Sequence, residues 1–185
     1  MEKSKKKSWI AIGGILIVVL IIVLFIIFNG KETRTSEGSN GQTVSALDCT
    51  TGNREDSLFY STTANTVINE IRVTYKEGQL GTLFYEYKGV YHSSELAAAD
   101  GEKFHPGFNN YMGENHADHL GLDPEFATYG NKYIIHMYTD DYGEINRVNA
   151  KVFFIDADDV GEFGNYSIEQ AKNYYEGKDF ACDIK

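Results

Sequence analysis

Residues 67–91 read VINEIRVTYKEGQLGTLFYEYKGVY, and this stretch decides the fold of the C-terminal part of the chain. In its first half apolar side chains alternate with polar ones, which is the period of a strand with one buried face. These apolar residues are Val67, Ile71, Val73 and Tyr75. Residues 77–79 (EGQ) predict a turn, after which Leu83, Tyr85 and Tyr87 share one face of a returning strand. The pattern predicts an antiparallel β-hairpin.

Further strands are predicted on both sides of this hairpin. Residues 46–51 form a first strand that carries Cys49, and residues 57–63 (SLFYSTT) are rich in strand-forming types. Residues 132–139 are apolar on both faces, which is typical of a central strand. Because apolar and polar residues alternate again across residues 147–155, we expect these last two segments to form a second hairpin.

Ser167 and Gln170 have the spacing of a capping box, which predicts that a helix begins there. Gly177 is predicted to end this closing helix. A sheet of hairpins beside one helix defines the α+β class. We therefore expect an antiparallel sheet with the C-terminal helix packed on one face.

Residues 93–131 interrupt the strand pattern and are predicted to be a loop or helical insert. Residues 94–101 begin with serine and end with glycine, as a short helix does, and Asp123 followed by Pro124 predicts a second helix start. Binding groups concentrate on long loops held by a rigid scaffold. We therefore expect the binding site in this insert, and we expect the sheet to fold without it.

Near the N-terminus, residues 9–28 (WIAIGGILIVVLIIVLFIIF) run from Trp9 to Phe28 without a charge. At about 1.5 Å per residue, a helix of this length spans a bilayer core of about 30 Å. The lysines of the leader, residues 1–8, favour the cytoplasmic side. We expect a single-pass plasma-membrane anchor with the N-terminus inside and the remaining chain outside. The alternative, a cleaved signal peptide, usually has a shorter apolar core and a small-residue cleavage site.

Residues 29–45 are rich in Gly, Ser and Thr and predict a flexible stalk, which leaves residues 46–185 as one domain. Of 17 basic and 27 acidic residues, four lysines and Glu2 precede the anchor. The chain beyond it therefore carries 13 basic and 26 acidic residues, a formal charge of −13. Such a surface repels phosphate backbones, which excludes DNA and RNA as partners.

The two cysteines, Cys49 and Cys182, stand near the two ends of this domain. In an oxidising compartment, two cysteines most simply form one disulfide. The alternative is a pair of buried, unpaired thiols. Since the anchor places both residues outside the membrane, we expect the disulfide.

These landmarks resemble those of small extracytoplasmic proteins of Gram-positive bacteria related to the YehR-like lipoproteins. The matching features are Cys49, the strand of residues 71–75, and residues 167–182 with the run NYYEG. The resemblance implies a fold and an envelope location, but no reaction. This chain differs in that no cysteine closely follows its apolar run, and in the insert of residues 93–131.

The strongest candidate for a metal site lies in the insert. On a helix His116 and His119 would share one face, and Glu114 or Asp118 could complete a divalent site. Mixed imidazole and carboxylate ligands suit Zn²⁺. The alternative is a solvated polar segment without metal.

Other chemistry finds less support in the sequence. The acidic residues Asp156, Asp158, Asp159 and Glu162 could hold Ca²⁺, but Val160 takes the place of a ligand in EF-hand spacing. The chain has no G-x-S-x-G motif and no phosphate-binding glycine motif. His136, in an apolar strand, is interpreted as structural. We expect neither a catalytic residue nor a bound cofactor.

Aromatic residues are abundant, with 13 tyrosines and 11 phenylalanines. Most are expected in the core, but some could form an exposed groove for carbohydrate or protein contacts. The candidates for that surface are Tyr85, Tyr87, Tyr91, Phe108 and Tyr111. The sequence thus favours a membrane-anchored domain that binds an envelope component or a protein partner without catalysis. The alternative is a metal-dependent envelope enzyme that uses His116 and His119.

Overall fold

A computed structural model describes residues 44–114 and 122–185, and a six-stranded antiparallel sheet runs through both segments. The strands are β1 (Val44–Thr51), β2 (Thr66–Lys76), β3 (Gln79–Val90), β4 (Asp123–Tyr129), β5 (Lys132–Thr139) and β6 (Ala181–Ile184). Their spatial order is β4-β5-β3-β2-β1-β6. The predicted α+β class with an antiparallel sheet is confirmed.

The predicted membrane anchor, residues 9–28, and its leader lie outside the described residues. So does the predicted stalk, except for its last two residues, which begin β1. Within residues 44–114 and 122–185, no helix combines the length and the apolar character that crossing a bilayer requires.

The hairpin of β2 and β3 is confirmed where it was predicted. Lys76 pairs with Gln79, so that Glu77 and Gly78 make the turn with φ values of 55° and 81°. Positive φ at both positions matches the right-handed twist of the flanking strands, and glycine adopts it without steric cost. Odd-numbered side chains of β2 are all buried, whereas even-numbered ones are half-buried or exposed. The alternation of apolar and polar residues along the strand thus gives the sheet one buried face and one more exposed face.

All helical segments with substantial sheet contacts pack on the odd-numbered face, which we call the covered face. These segments are α1 (Ser94–Glu114), α3 (Ile168–Glu176) and two short 3-10 helices (Tyr142–Glu144 and Asn149–Phe153); a short helix α2 (Val160–Phe163) precedes α3 in the chain. The buried side chains of α1 recur every three or four residues: Ala97, Asp100, Phe104, Phe108 and Met112. The opposite side of the sheet, here the open face, carries the exposed side chains of Ile68 and Tyr138.

The predicted start and end of the closing helix are confirmed. The Ser167 hydroxyl accepts from the Gln170 backbone N–H at 3.3 Å, and the Gln170 side chain accepts from the Ser167 N–H at 2.9 Å. Gly177 follows the last turn. Beyond it, β6 returns to pair with β1, and Cys49 stands directly opposite Cys182. Their sulfur atoms lie 2.03 Å apart, at disulfide distance, as predicted.

The second hairpin was placed wrongly. Residues 147–155 do not form a strand but wind through the 3-10 helix Asn149–Phe153. The reason is that β5 has no free edge, because β3 occupies one side and β4 the other. The alternating apolar residues of this segment fill the core from a helical turn instead. Residues 57–63, another predicted strand, form turns.

The insert is also more regular than predicted. Its first helix continues to Glu114, and the supposed helix start at Asp123 is the edge strand β4, where Pro124 is tolerated because one side of the strand needs no ladder bond. Gly130, with φ of 59°, and Asn131 then turn the chain into β5. Since α1 and β4 belong to the core and the sheet, the expectation that the sheet folds without residues 93–131 is wrong.

Candidate functional site

The predicted aromatic surface is not a surface. Tyr85, Tyr87, Tyr91 and Phe108 are each at most 2% exposed, and Tyr111 is partly buried. These rings fill the layer between the covered face and α1, because odd-numbered residues of β3 point towards the helices. Burial raises the pKa of the Tyr85 hydroxyl, which donates to Asn69 Oδ1 at 2.7 Å.

A buried carboxylate joins α1 to this layer. Asp100 is 6% exposed, and its Oδ2 accepts from the hydroxyls of Tyr91 at 2.8 Å, Thr63 at 3.2 Å and Ser61. Because three donors converge on one oxygen, the carboxylate is stabilised without a cation. Its contacts tie α1 to β3 and to the loop before β2, which is a structural role.

The candidate metal residues are not brought together in the described part of the chain. Glu114 is exposed at the end of α1, and His116 and His119 lie outside the described residues. Over residues 44–114 and 122–185, no group of three or more His, Cys, Asp and Glu side chains is placed to hold a metal ion. In the acidic loop, Asp156 pairs with Lys178 at 2.6 Å and Asp158 with Arg147 at 3.0 Å.

His136 lies on the open face, with its ring centroid 5.5 Å from that of Phe84. Its Nε2 is 2.8 Å from Glu86 and its Nδ1 is 3.6 Å from Glu125, each on a neighbouring strand. The imidazole thus bridges two carboxylates in a cross-strand row, which is a structural contact.

The best-formed polar concavity lies where the β2–β3 turn meets the chain after β5. We call it the turn cleft; its volume is about 410 Å³. Its side chains with polar atoms are Gln79, Asp140, Asp141, Tyr142, Asn165 and Tyr166. Glycine backbone forms much of the remaining wall, which leaves N–H and C=O groups accessible.

Two tyrosine rings of this cleft are fixed by packing behind them. The Tyr142 hydroxyl donates to Val160 O at 2.6 Å, and its ring stacks on Phe163 with centroids 5.9 Å apart. The ring of Tyr166 lies 5.3 Å from the same Phe163, which is fully buried. A Cβ at Gly164 would come within 2.6 Å of the Tyr142 ring, so glycine permits this close approach. The rings are therefore held in place before any ligand binds.

Behind Tyr142 lies a hydroxyl without a hydrogen bond. Tyr75 is 1% exposed, and its Oη is the single buried side-chain polar atom of the described residues that has no protein partner. Burial raises the pKa of Tyr75 to about 12. Burial also raises the pKa of Tyr142, with smaller contributions from the nearby Tyr166 and Tyr75 hydroxyls. An unpaired buried hydroxyl is costly, and Tyr75 stands opposite Leu80, a residue of the cleft lining, in the pairing of β2 with β3.

The turn cleft combines hydrogen-bonding side chains with aromatic rings. Its described lining contains carboxylates, amides and tyrosine rings but no Lys, Arg or His. Asp140 and Asp141 are exposed, and Asp141 Oδ1 accepts from the Gly143 N–H at 2.7 Å. The sequence analysis assigned no function to either lining segment. The joint presence of Tyr, Asn, Asp and Gly in residues 140–143 and 164–166 was the available signal.

Comparisons with known proteins show similarity at the level of the fold only. No family model matches the chain, and no curated protein matches it. Two solved structures are similar in fold, each at 12% sequence identity. The NMR structure of the Escherichia coli YehR protein has a TM-score of 0.43, and the match covers 73% of this chain and 88% of that one. The NMR structure of a Streptococcus pneumoniae TIGR4 protein has a TM-score of 0.46, with 80% and 89% covered.

Proposed function

We propose that this protein is a binding domain, displayed outside the plasma membrane by the anchor Trp9 to Phe28, whose turn cleft binds a neutral, hydroxyl-rich ligand. A glycan of the cell envelope has that chemistry. The observation that carries the proposal is the lining itself, in which two carboxylates and two amides surround two fixed tyrosine rings without a cation.

Each type of group in that lining can form a contact with a sugar. Carboxylate and amide oxygens accept hydrogen bonds from hydroxyls, amide N–H groups donate to them, and aromatic rings pack against the C–H faces of a pyranose. A volume of about 410 Å³ lies in the ordinary range of small-ligand sites. The absence of lysine and arginine from the described lining argues against an anionic ligand in this cleft.

The extracytoplasmic location is supported by residues at both ends of the chain. The uncharged run of residues 9–28 follows a basic leader, and the Cys49–Cys182 pair suits an oxidising compartment. We also infer a distant relationship to the YehR-like extracytoplasmic proteins, which rests on Cys49 and on residues 167–182. The proposed role is binding without catalysis.

The cleft is tested by calorimetric titration of purified full-length protein in detergent with neutral oligosaccharides, including fragments of the wall glycan. We expect saturable binding that weakens about tenfold or more in Asn165→Ala and in Tyr166→Ala, because each removes a direct contact. The matched control is Tyr129→Ala, since Tyr129 is 64% exposed on the edge strand β4 and does not line the cleft.

Two results would contradict the site. One is the absence of saturable binding to any neutral saccharide tested. The other is an equal loss of affinity in Tyr129→Ala and Tyr166→Ala, which would indicate a general loss of aromatic surface.

The location is tested separately by adding protease to intact cells whose wall is permeable to it. A domain outside the membrane should be degraded while the leader, residues 1–8, is spared. Recovery of the mature domain from the medium as the main product would show that the apolar run is cleaved.

A further inference from the structure

A second cleft differs from the first in its charge. The first 43 residues contain six of the 17 basic and three of the 27 acidic residues, so residues 44–185 contain 11 basic and 24 acidic residues. Despite this excess of acid, three of the 11 cations line one cleft of about 290 Å³. They are Arg147, Lys151 and Lys178, and we call this the cationic cleft.

The existing partners of these cations are exposed carboxylates. Arg147 Nη2 is 3.0 Å from Asp158, whose side chain is 90% exposed. Lys178 Nζ is 2.6 Å from Asp156, which is 65% exposed. Arg147 is itself 73% exposed, so water screens its pair and a ligand can replace the carboxylate at little cost. Lys178 is 23% exposed, so its pair with the exposed Asp156 is screened less.

Lys151 is the cation best placed to receive a ligand. Its ammonium lies 5.7 Å from the centroid of the Tyr111 ring, and no Asp or Glu of the described residues is within ion-pair distance of it. Its side chain is exposed. A cation over an aromatic face keeps most of its capacity to donate hydrogen bonds.

The remaining wall is rigid and in part apolar. Phe154, Ile155 and Ala157 form its apolar part. The cleft also contains the carboxylates of Asp56, which pairs with Arg54 at 2.7 Å, and of Asp156. Phe154 adopts φ of 55° and ψ of 28° in the left-handed region that bulky residues rarely occupy. The Phe154 N–H donates to Lys151 O at 3.1 Å and the Ile155 N–H to Ala150 O at 3.1 Å, which holds this turn. The Phe154 ring packs against Phe180 with centroids 5.2 Å apart. Strained backbone that is fixed by its surroundings often marks a functional site.

We propose that the cationic cleft binds the oxyanion of a small organic ligand, a phosphate or carboxylate group, with the adjacent carbon atoms against the apolar wall. Arg147 presents a planar fork that matches either oxyanion, and Lys151 and Lys178 add charge from other sides. The cleft is small for a whole cofactor, so it suits one charged group and a short attached chain. Both clefts adjoin residues 140–166, but they share no lining residue.

The test is a titration of the full-length protein in detergent at low salt, with glycerol 3-phosphate and with propionate as probes, followed by calorimetry and NMR. We expect saturable binding of at least one probe, with the backbone signals of Lys151, Ile155 and Ala157 among those that move. The affinity should fall about tenfold in Lys151→Gln, because a hydrogen bond to a charged group contributes about 1.5–3 kcal/mol.

The control is Lys132→Gln, which removes the same charge from an exposed position on β5 outside the cleft. It should bind the probe as the wild type does, and Asn165→Ala in the turn cleft should as well. Tighter binding of glycerol 3-phosphate would indicate a phosphate ligand, and tighter binding of propionate would indicate a carboxylate ligand. The proposal is overturned if neither probe saturates, or if Lys132→Gln weakens binding as much as Lys151→Gln, which would indicate general charge attraction. Melting temperatures of all variants confirm that each is folded.

Discussion

The two faces of the sheet are built from the same strands, yet they differ in nearly every physical property. On the covered face the odd-numbered residues of β2 and β5, and those of β3 from Leu83 onward, are buried and carry no charge. On the open face the same strands present Glu70, Arg72, Glu86, Lys88 and His136. Strand alternation alone produces this separation, because successive side chains point to opposite sides.

This difference between the two faces shows which aromatic side chains contribute to the packing of the core. Tyr85, Tyr87 and Tyr91 bury large rings on the covered face and direct their hydroxyls to Asn69, to one another and to Asp100. The open face instead places Glu70 directly opposite Glu86, an unfavourable pair that Arg72, 3.5 Å from Glu70, offsets. His136 Nε2 lies within hydrogen-bond distance of Glu86, at 2.8 Å. Stability should therefore depend strongly on the first face and weakly on the second.

The sharpest comparison uses two neighbours on β3. Tyr85→Ala should lower the free energy of unfolding by about 3–5 kcal/mol, because it removes a fully buried ring and leaves Asn69 without its donor. Phe84→Ala, on the open face, should cost about 1 kcal/mol. Denaturant unfolding of both variants measures the difference. Equal losses would mean that the open face is covered in the native protein.

The disulfide tests how much of the covered face depends on a covalent link. Cys49 lies on that face, fully buried, and its bond holds the edge strand β6 to β1. Cys49→Ala and Cys182→Ala should each cost about 2–5 kcal/mol, and the double variant should lose little more, because either one removes the cross-link. Unfolding with and without reductant checks this. Two titratable thiols in the unreduced wild type would refute the bridge.

A third comparison sets one carboxylate against another. Asp100→Ala should cost about 2–4 kcal/mol, because the hydroxyls of Ser61 and Tyr91 lose a buried acceptor. Glu86→Ala on the open face should change stability by less than about 0.5 kcal/mol. The measurement is the shift in denaturation midpoint. A mild effect at Asp100 would indicate that water reaches this cluster.

The last comparison depends on pH and concerns Asp48, an open-face residue that is nonetheless buried. Burial would raise the pKa of its carboxyl, but hydrogen bonds from Arg72 and Lys185 outweigh that and lower it below 3.8. Because the pKa of this carboxyl is lower in the folded than in the unfolded protein, ionised Asp48 stabilises the fold when the pH is above the unfolded-state pKa. This stabilisation is lost as the pH falls through the folded-state pKa.

Asp48→Asn should therefore cost about 1 kcal/mol at pH 7, since both cationic partners are half-exposed and screened. The difference from the wild type should vanish in acid below the folded pKa. Unfolding curves across this range provide the measurement. A cost that persists unchanged in acid would show that packing, and not charge, is lost.

Local patterns predicted those parts of the fold that depend on neighbours in the chain. The hairpin of residues 67–91 followed from period-two alternation and a glycine turn, and the closing helix followed from its capping box. The β4–β5 turn was missed although Gly130-Asn131 is a known hairpin signal, because Asp123-Pro124 was read as a helix start. A proline is acceptable in both places, and only the position of the strand at the sheet edge distinguishes them.

The candidate sites were less predictable than the fold. The expected site lay in residues 93–131, but both clefts adjoin residues 140–166. The turn cleft needs Gln79 from the first hairpin beside Tyr142 and Tyr166, which follow it in the chain by 63 and 87 residues. No local sequence pattern predicts that these residues come close together in the fold.

By itself, the sequence determined the antiparallel α+β class, the two-faced hairpin, the opposed cysteines and the excess of acidic residues. These depend on side-chain period, turn chemistry and net charge, which are properties of short segments. The tertiary structure alone decided that residues 147–155 turn into a 3-10 helix, because both edges of β5 were already paired. It also decided that the tyrosines of β3 are buried, since an aromatic residue suits a core or a surface equally until a helix covers it.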